Sequence, residues 1–391
     1  MHPNYQKTKL ACYLGIITQA ISANFVPLLF LTFRQEFGLS LGQVALIPTV
    51  FFLTQLVVDF LSAKYVDKIG YRPAIIASEV LSALGLGGLA FLPGVMSDSF
   101  VGVLVCVVLY AIGSGLIEVL VSPIIEACPF ENKEGTMSLL HSFYCWGSVA
   151  AILVSTLFFL LFGVNHWRVM GLLWTLVPLY NIFNFAVCPI EHIVEADQSL
   201  SITQLFRMPF FWLLAVLMIS SGASELAMAQ WASAFTESAL HVSKTVGDLA
   251  GPCLFAVLMG TSRALYGKYS EKVNLTGFML GSGVLCVACY LLAALSPHPV
   301  FGLIGCALCG FSVGVMWPGT LSISAKKCPT GGTALFGLLA LAGDLGGSLG
   351  PSLVGAVSGA AGDNLKAGLL AAMVFPLLLI AGLLILKRKK A

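Results

Sequence analysis

Charge is scarce in this chain. Lys, Arg, Asp and Glu make up 10% of its 391 residues, against roughly 25% in an ordinary soluble domain. Apolar residues reach 58%, more than a soluble domain of this length could hide, so lipid is the expected solvent. The net charge of +2 offers no basic surface for nucleic acid. There is no P-loop, no metal-ligand spacing and no recognisable pairing of nucleophile with base, which argues against an enzyme and against ATP-driven work. No cofactor is expected. Arginines do not cluster as a phosphate or dicarboxylate solute would require. A cleavable leader is not evident either. Met1 to Lys9 is polar, and the apolar run beyond it is too long and lacks small-residue cleavage spacing. That run is expected to be a first membrane helix.

Of the eleven cysteines most lie inside apolar runs, including the C-x-x-C pairs Cys286/Cys289 and Cys306/Cys309. With no His or acid nearby, they read as small polarizable packing residues rather than a metal or redox centre.

What is present is a duplication. Lys64-Tyr65-Val66-Asp67-Lys68 is echoed by Lys268-Tyr269-Ser270-Glu271-Lys272, at an offset of 204 (271 − 67). Cys128-Pro129 recurs as Cys328-Pro329, at an offset of 200 (328 − 128). Apolar runs of about 20 residues are expected to give twelve spans: 10–33, 43–66, 73–93, 100–125, 136–162, 167–188, 209–236, 245–267, 275–295, 299–324, 333–358 and 366–386. The fold class is therefore an all-α membrane protein with two pseudo-symmetric six-helix bundles, 1–190 and 209–391, joined by a cytoplasmic linker at 191–208. With the N-terminus inside, fifteen lysines and arginines are cytoplasmic. Only Arg34, Arg168, Lys244 and Lys366 lie outside, and Arg263 falls within a span. The positive-inside rule then places both termini in the cytoplasm of a cell-membrane protein.

The turn after the second span reads Ala63-x-x-x-Asp67-Lys68-x-Gly70-Tyr71-Arg72. It resembles the G-x-x-x-D-R-x-G-R-R turn of the major facilitator superfamily, with Ala63, Lys68 and Tyr71 replacing a glycine, an arginine and a basic residue. Leu139-Leu140-His141-Ser142-Phe143 followed by Gly147, and Gly113-x-Gly115-x-x-Glu118, are similar to the fucose permease-like group, which imports sugars with protons. That group carries an aspartate in span one, where this chain has Gln19 and Asn24. The resemblance implies a monomeric transporter of a small-molecule solute, with spans one, four, seven and ten lining the pathway. Their candidates for solute binding are Gln19, Asn24, Glu118, Gln230, Trp231 and Trp317. Amides and aromatics suit a polar uncharged solute such as a sugar.

Ionisable groups inside a span are costly and usually face a cavity or a partner. Glu118, His141 and Glu225 are the candidates for proton coupling. Desolvation favours the neutral form of a carboxyl, as a proton carrier requires, and imidazole ordinarily titrates near neutrality. A structural hydrogen bond is the alternative for each. Trp231 could stack on a sugar or simply pack between helices. Asp59 and Arg263 stand at the repeat offset (263 − 59 = 204) and, with Asp67, Arg72 and Glu271, are candidate gating residues. Other partners for the charges remain open. Asp344, beside Gly343 and Gly346, reads as a helix-interface residue, and Glu79 as lying near the inner membrane face. The competing functions are an importer of a small polar solute by proton symport, a drug/proton antiporter, and a sensor or scaffold with a transporter fold.

Overall fold

The computed structural model describes residues 4–39, 41–191, 200–232, 235–236, 249–362 and 364–388. The middle of the expected linker, Lys244, the first residues of the expected eighth span, and Lys389 and Lys390 lie outside the described residues. Every regular element among the described residues is helical. The long helices are α1 (Tyr5–Asn24), α2 (Leu41–Ile69), α3 (Tyr71–Gly88), α4 (Ser99–Ala127), α5 (Lys133–Phe162) and α6 (Trp167–Val187). They continue as α7 (Pro209–Ala229), α8 (Leu254–Tyr269), α9 (Leu275–Leu295), α10 (Pro299–Lys327), α11 (Gly332–Ala360) and α12 (Leu365–Arg388).

Nine of the described helices are long and apolar enough to cross a membrane. The other three expected spans correspond to α2, α3 and α8. Of these, α3 has 18 residues and carries Arg72 and Glu79, and α8 has 16 described residues. Helix starts follow the caps written in the sequence. Asp98 accepts from the amides of Phe100 and Val101 at the head of α4, and Asn274 accepts from Gly277 at the head of α9. The α2–α3 turn passes through Gly70 at φ +91°, a backbone region that a residue with a side chain rarely adopts.

The chain forms two compact units. Unit 1 comprises Met1–Pro129, Trp146–Ser201 and Thr330–Gly337; unit 2 comprises Phe130–Cys145, Ile202–Pro329 and Leu338–Ala391. The beginnings of α5 and α11 thus each fold with the unit formed mainly by the other half of the sequence. In unit 1, α4 packs on α1, α2 and α3, and α6 packs on α1 and α3. In unit 2, α10 packs on α7, α8 and α9, and α12 packs on α7 and α9. The same packing diagram is drawn twice, as the sequence duplication requires.

Glycine sets the closest helix approaches. In unit 2 a Cβ on Gly222 of α7 would come within 2.2 Å of the Gly343 carbonyl oxygen, and one on Gly346 of α11 within 2.1 Å of that of Ile219. Small residues at helical spacing, Gly343, Gly346 and Gly350, make this seam on α11. Outward, α5 shows Leu153, Leu157, Leu160 and Leu161, an apolar surface that suits lipid.

Arg72, in the first turn of α3, holds the end of α6. Its Nη1 donates to the carbonyls of Phe185 (2.7 Å) and Ala186 (2.8 Å), and its Nη2 to that of Cys188 (2.8 Å). These oxygens have no partner within their own helix, and a cation at a helix C-terminus is further favoured by the dipole. Replacing Arg72 with glutamine is expected to destabilise unit 1 by about 1–3 kcal/mol. Lysine, a single-point donor, should restore only part. Thermal unfolding of the purified variants checks the order wild type, Arg72→Lys, Arg72→Gln.

Candidate functional site

Unit 1 gathers amides around one carboxylate. Glu118 lies midway along α4 and is partly open. Gln19 of α1 donates to its Oε2 at 2.8 Å, and Gln55 of α2 donates to the same oxygen at 3.2 Å. Gln55 also reaches Ser114 Oγ, one turn earlier on α4, at 3.3 Å. Five residues beyond Gln19, Asn24 donates to Ser148 Oγ of α5 at 3.0 Å and to the Ala20 carbonyl at 2.8 Å. The helices approach closely enough because Gly115 faces α2, where a Cβ would meet Val58 at 3.1 Å and Asp59 Oδ1 at 3.5 Å. Asp59 itself is completely buried.

Unit 2 carries the opposite charge at the equivalent place. Gly314 of α10 packs on Met259 and Ser262 of α8, beside Arg263. Arg263 is 4% exposed. Its Nη2 pairs with Glu225 Oε2 at 3.0 Å, its Nε donates to the Gly314 carbonyl at 2.7 Å, and its Nη1 donates to the His141 carbonyl at 3.0 Å and to Cys145 Sγ at 3.4 Å. Pro318 explains why the Gly314 oxygen is available. Proline has no N–H to return to the residue four positions earlier, and α10 is interrupted there, between Val313 and Met316. A buried ion pair is tolerated only when its remaining donors are also satisfied, and here backbone carbonyls do that. The His141 ring is buried beside this network.

Unit 2 has a second polar group, where the start of α5 meets the ends of α8 and α10. Glu134 accepts from Tyr266 Oη at 3.0 Å and is ion-paired with Lys326. Ser270 donates to Asn132 Oδ1 at 2.9 Å. Glu271 is exposed in the single 3₁₀ turn that follows α8. In unit 1, Tyr71 Oη and Thr333 Oγ1 share a short hydrogen bond. Asp67 is partly exposed, two residues before the end of α2.

The two candidate tryptophans lie over glycines of α11. A Cβ on Gly343 would fall 2.2 Å from the Trp317 ring, and one on Gly355 would fall 3.1 Å from that of Trp231. Trp231 Nε1 donates to the Pro351 carbonyl at 3.0 Å, and Gln230 beside it is exposed. Gln55, Ser114, Ser148 and Cys145 did not emerge from the sequence. Gln55 could have been found: it is an amide in an apolar run one turn before Asp59, on the same helix face. Glu79 of α3 is fully buried against α1 and α6.

Residues 11–351 match the sequence profile of the Major Facilitator Superfamily. The chain belongs to this family. Solved structures of superfamily transporters share its fold. The E. coli fucose:proton symporter FucP, in its outward conformation, matches with TM-score 0.81 at 17% identity, over 97% of this chain and 98% of that one. The proton:xylose symporter XylE gives TM-score 0.82 at 12% identity, over 98% and 95%. The human organic anion transporter TETRAN gives 0.75 at 15%, over 98% and 100%. No curated protein sequence is significantly similar to the chain. A major facilitator protein moves small solutes across a membrane, so Glu118 with its amides and Arg263 with its carbonyls are the places to look for the working groups.

Proposed function

We propose that this major facilitator protein imports a small polar solute, such as a sugar, by proton symport through alternating access. On this reading two six-helix bundles, 1–190 and 209–391, rock in a cell membrane with both termini in the cytoplasm, and the protein acts as a monomer. The observation that carries the proposal is that Gln19 and Gln55, from two different helices, both donate to one oxygen of a partly open carboxyl, Glu118. A charged carboxylate holds both amides strongly. Once the carboxyl takes a proton, that oxygen becomes a weaker acceptor and the amides are released to solute hydroxyls. Proton and solute then load together. Gln19, Asn24 and Glu118, with Gln230, Trp231 and Trp317, supply the solute contacts; His141 and Glu225 carry or relay the proton. Asp59, Asp67, Arg72, Arg263 and Glu271 serve the gate. The fold shared with two sugar/proton symporters supports the same reading.

One proton moving down about 100 mV supplies about 2.3 kcal/mol, enough for accumulation of about fifty-fold. With Glu118→Gln, uphill uptake of a hit from a thermal-shift screen of sugars is expected to fall to equilibration. Exchange of labelled for unlabelled solute should persist. Uptake that stays concentrative and pH-dependent in this variant would remove Glu118 from the coupling.

A further inference from the structure

A second carboxyl lies behind α1, apart from the Glu118 group. Glu79 of α3 is 0% exposed. Asn181 of α6 donates to its Oε1 at 2.7 Å and to the Ala11 carbonyl of α1 at 3.0 Å, while Asn181 Oδ1 accepts from Asn184 at 3.3 Å. The amide orientation is thereby determined, because the Ala11 carbonyl can only accept. On α1, Ala11, Gly15 and Thr18 share the face turned towards this carboxyl. A Cβ on Gly15 would sit 3.4 Å from Glu79 Oε1. Thr18 Oγ1 and Glu79 Oε2 are both buried and have no other hydrogen-bond partner.

Glu79 has no cationic partner among the described residues. Thr18 and the Cys12 thiol face it from α1, Asn181 faces it from α6, and Ser78 and Ser82 flank it on α3. From α4, Val121 packs at the same Gly15 and is apolar. Cys12 is the titratable member of this set. A lone buried charge is expensive without a counter-ion, whereas a hydroxyl on Oε2 would meet the unsatisfied Thr18 oxygen and make the cluster neutral.

We propose that Glu79 is a proton-binding site of this transporter, whose neutral carboxyl fastens α1 to α3 and α6. The same α1 presents Gln19, one turn beyond Gly15, to Glu118. Glu79 therefore sets the backing against which that pair works, and it does so whether or not Glu118 couples transport. The test is infrared spectroscopy of the full chain in lipid nanodiscs near neutral pH. Wild type is expected to show the carbonyl stretch of a protonated carboxylic acid, exchanging slowly in D2O. Glu79→Gln should lose that band, and Glu118→Gln should retain it. Should Glu79→Gln fail to fold, Asn181→Leu serves. It removes a donor to the carbonyl, so the band should move to higher frequency. An acid band untouched by both variants, or no acid band in the wild type, overturns the proposal.

Discussion

Arg263→Gln is expected to be among the most damaging single changes in unit 2, costing about 3 kcal/mol, because it leaves a largely buried carboxylate without its cation. The affected group is Glu225, whose Oε2 lies 3.0 Å from the guanidinium. The carbonyls of Gly314 and His141 would lose their donor as well. Removing both charges together, with Glu225→Gln and Arg263→Gln, should be milder than removing Arg263 alone, since no lone charge then remains. Thermal unfolding of the two single variants and the double variant gives the coupling directly. A double variant no more stable than Arg263→Gln would mean that the pair is not the unit of stability here. Arg263→Lys should recover little, because one ammonium cannot reach acceptors on three helices in the way a planar guanidinium does.

Alanine at the α7–α11 seam should give the other large effect. A methyl group on Gly346 would stand 2.1 Å from the Ile219 oxygen, and one on Gly222 would stand 2.2 Å from the Gly343 oxygen. Backbone atoms cannot rotate away as a flexible side chain can, so the helices must separate. Overpacking of this kind typically costs about 1–3 kcal/mol per site. The double variant should lose a monodisperse folded peak in detergent. Gly281→Ala, where nothing lies within 4 Å, is the control and should be nearly silent. Equal behaviour of Gly346→Ala and Gly281→Ala would contradict the close approach.

The glycine seam was legible in the sequence as Gly346-Gly347-x-x-Gly350-Pro351, because small residues at helical spacing have few other uses in lipid. Its exact partners on α7 were not. Glu118 was legible as an acid among apolar residues, and Gln19 as an amide in the first span, but nothing in the chain announced that they meet. Gln55 is inconspicuous for a related reason. Its significance comes from an oxygen 63 residues away. Pro318 is legible as a helix breaker, but that its missing N–H frees the Gly314 carbonyl for Arg263 depends on α8 lying beside it. Glu79 is legible as an acid in an apolar run, but its burial and its meeting with Asn181 depend on which helices cover that face.

The amino-acid sequence by itself determined that this is a helical membrane protein, that its two halves repeat, and that a charged turn follows the second span. These are local properties: hydrophobic run length, small-residue spacing and repeated order all act within a few turns of chain. Tertiary structure alone decided which buried polar atoms meet. Glu118 could have faced lipid, solvent or any neighbour, and Arg263 could have paired elsewhere. The rotation of each helix about its axis settles this, and that rotation follows from packing against several neighbours at once, which no single stretch of sequence encodes.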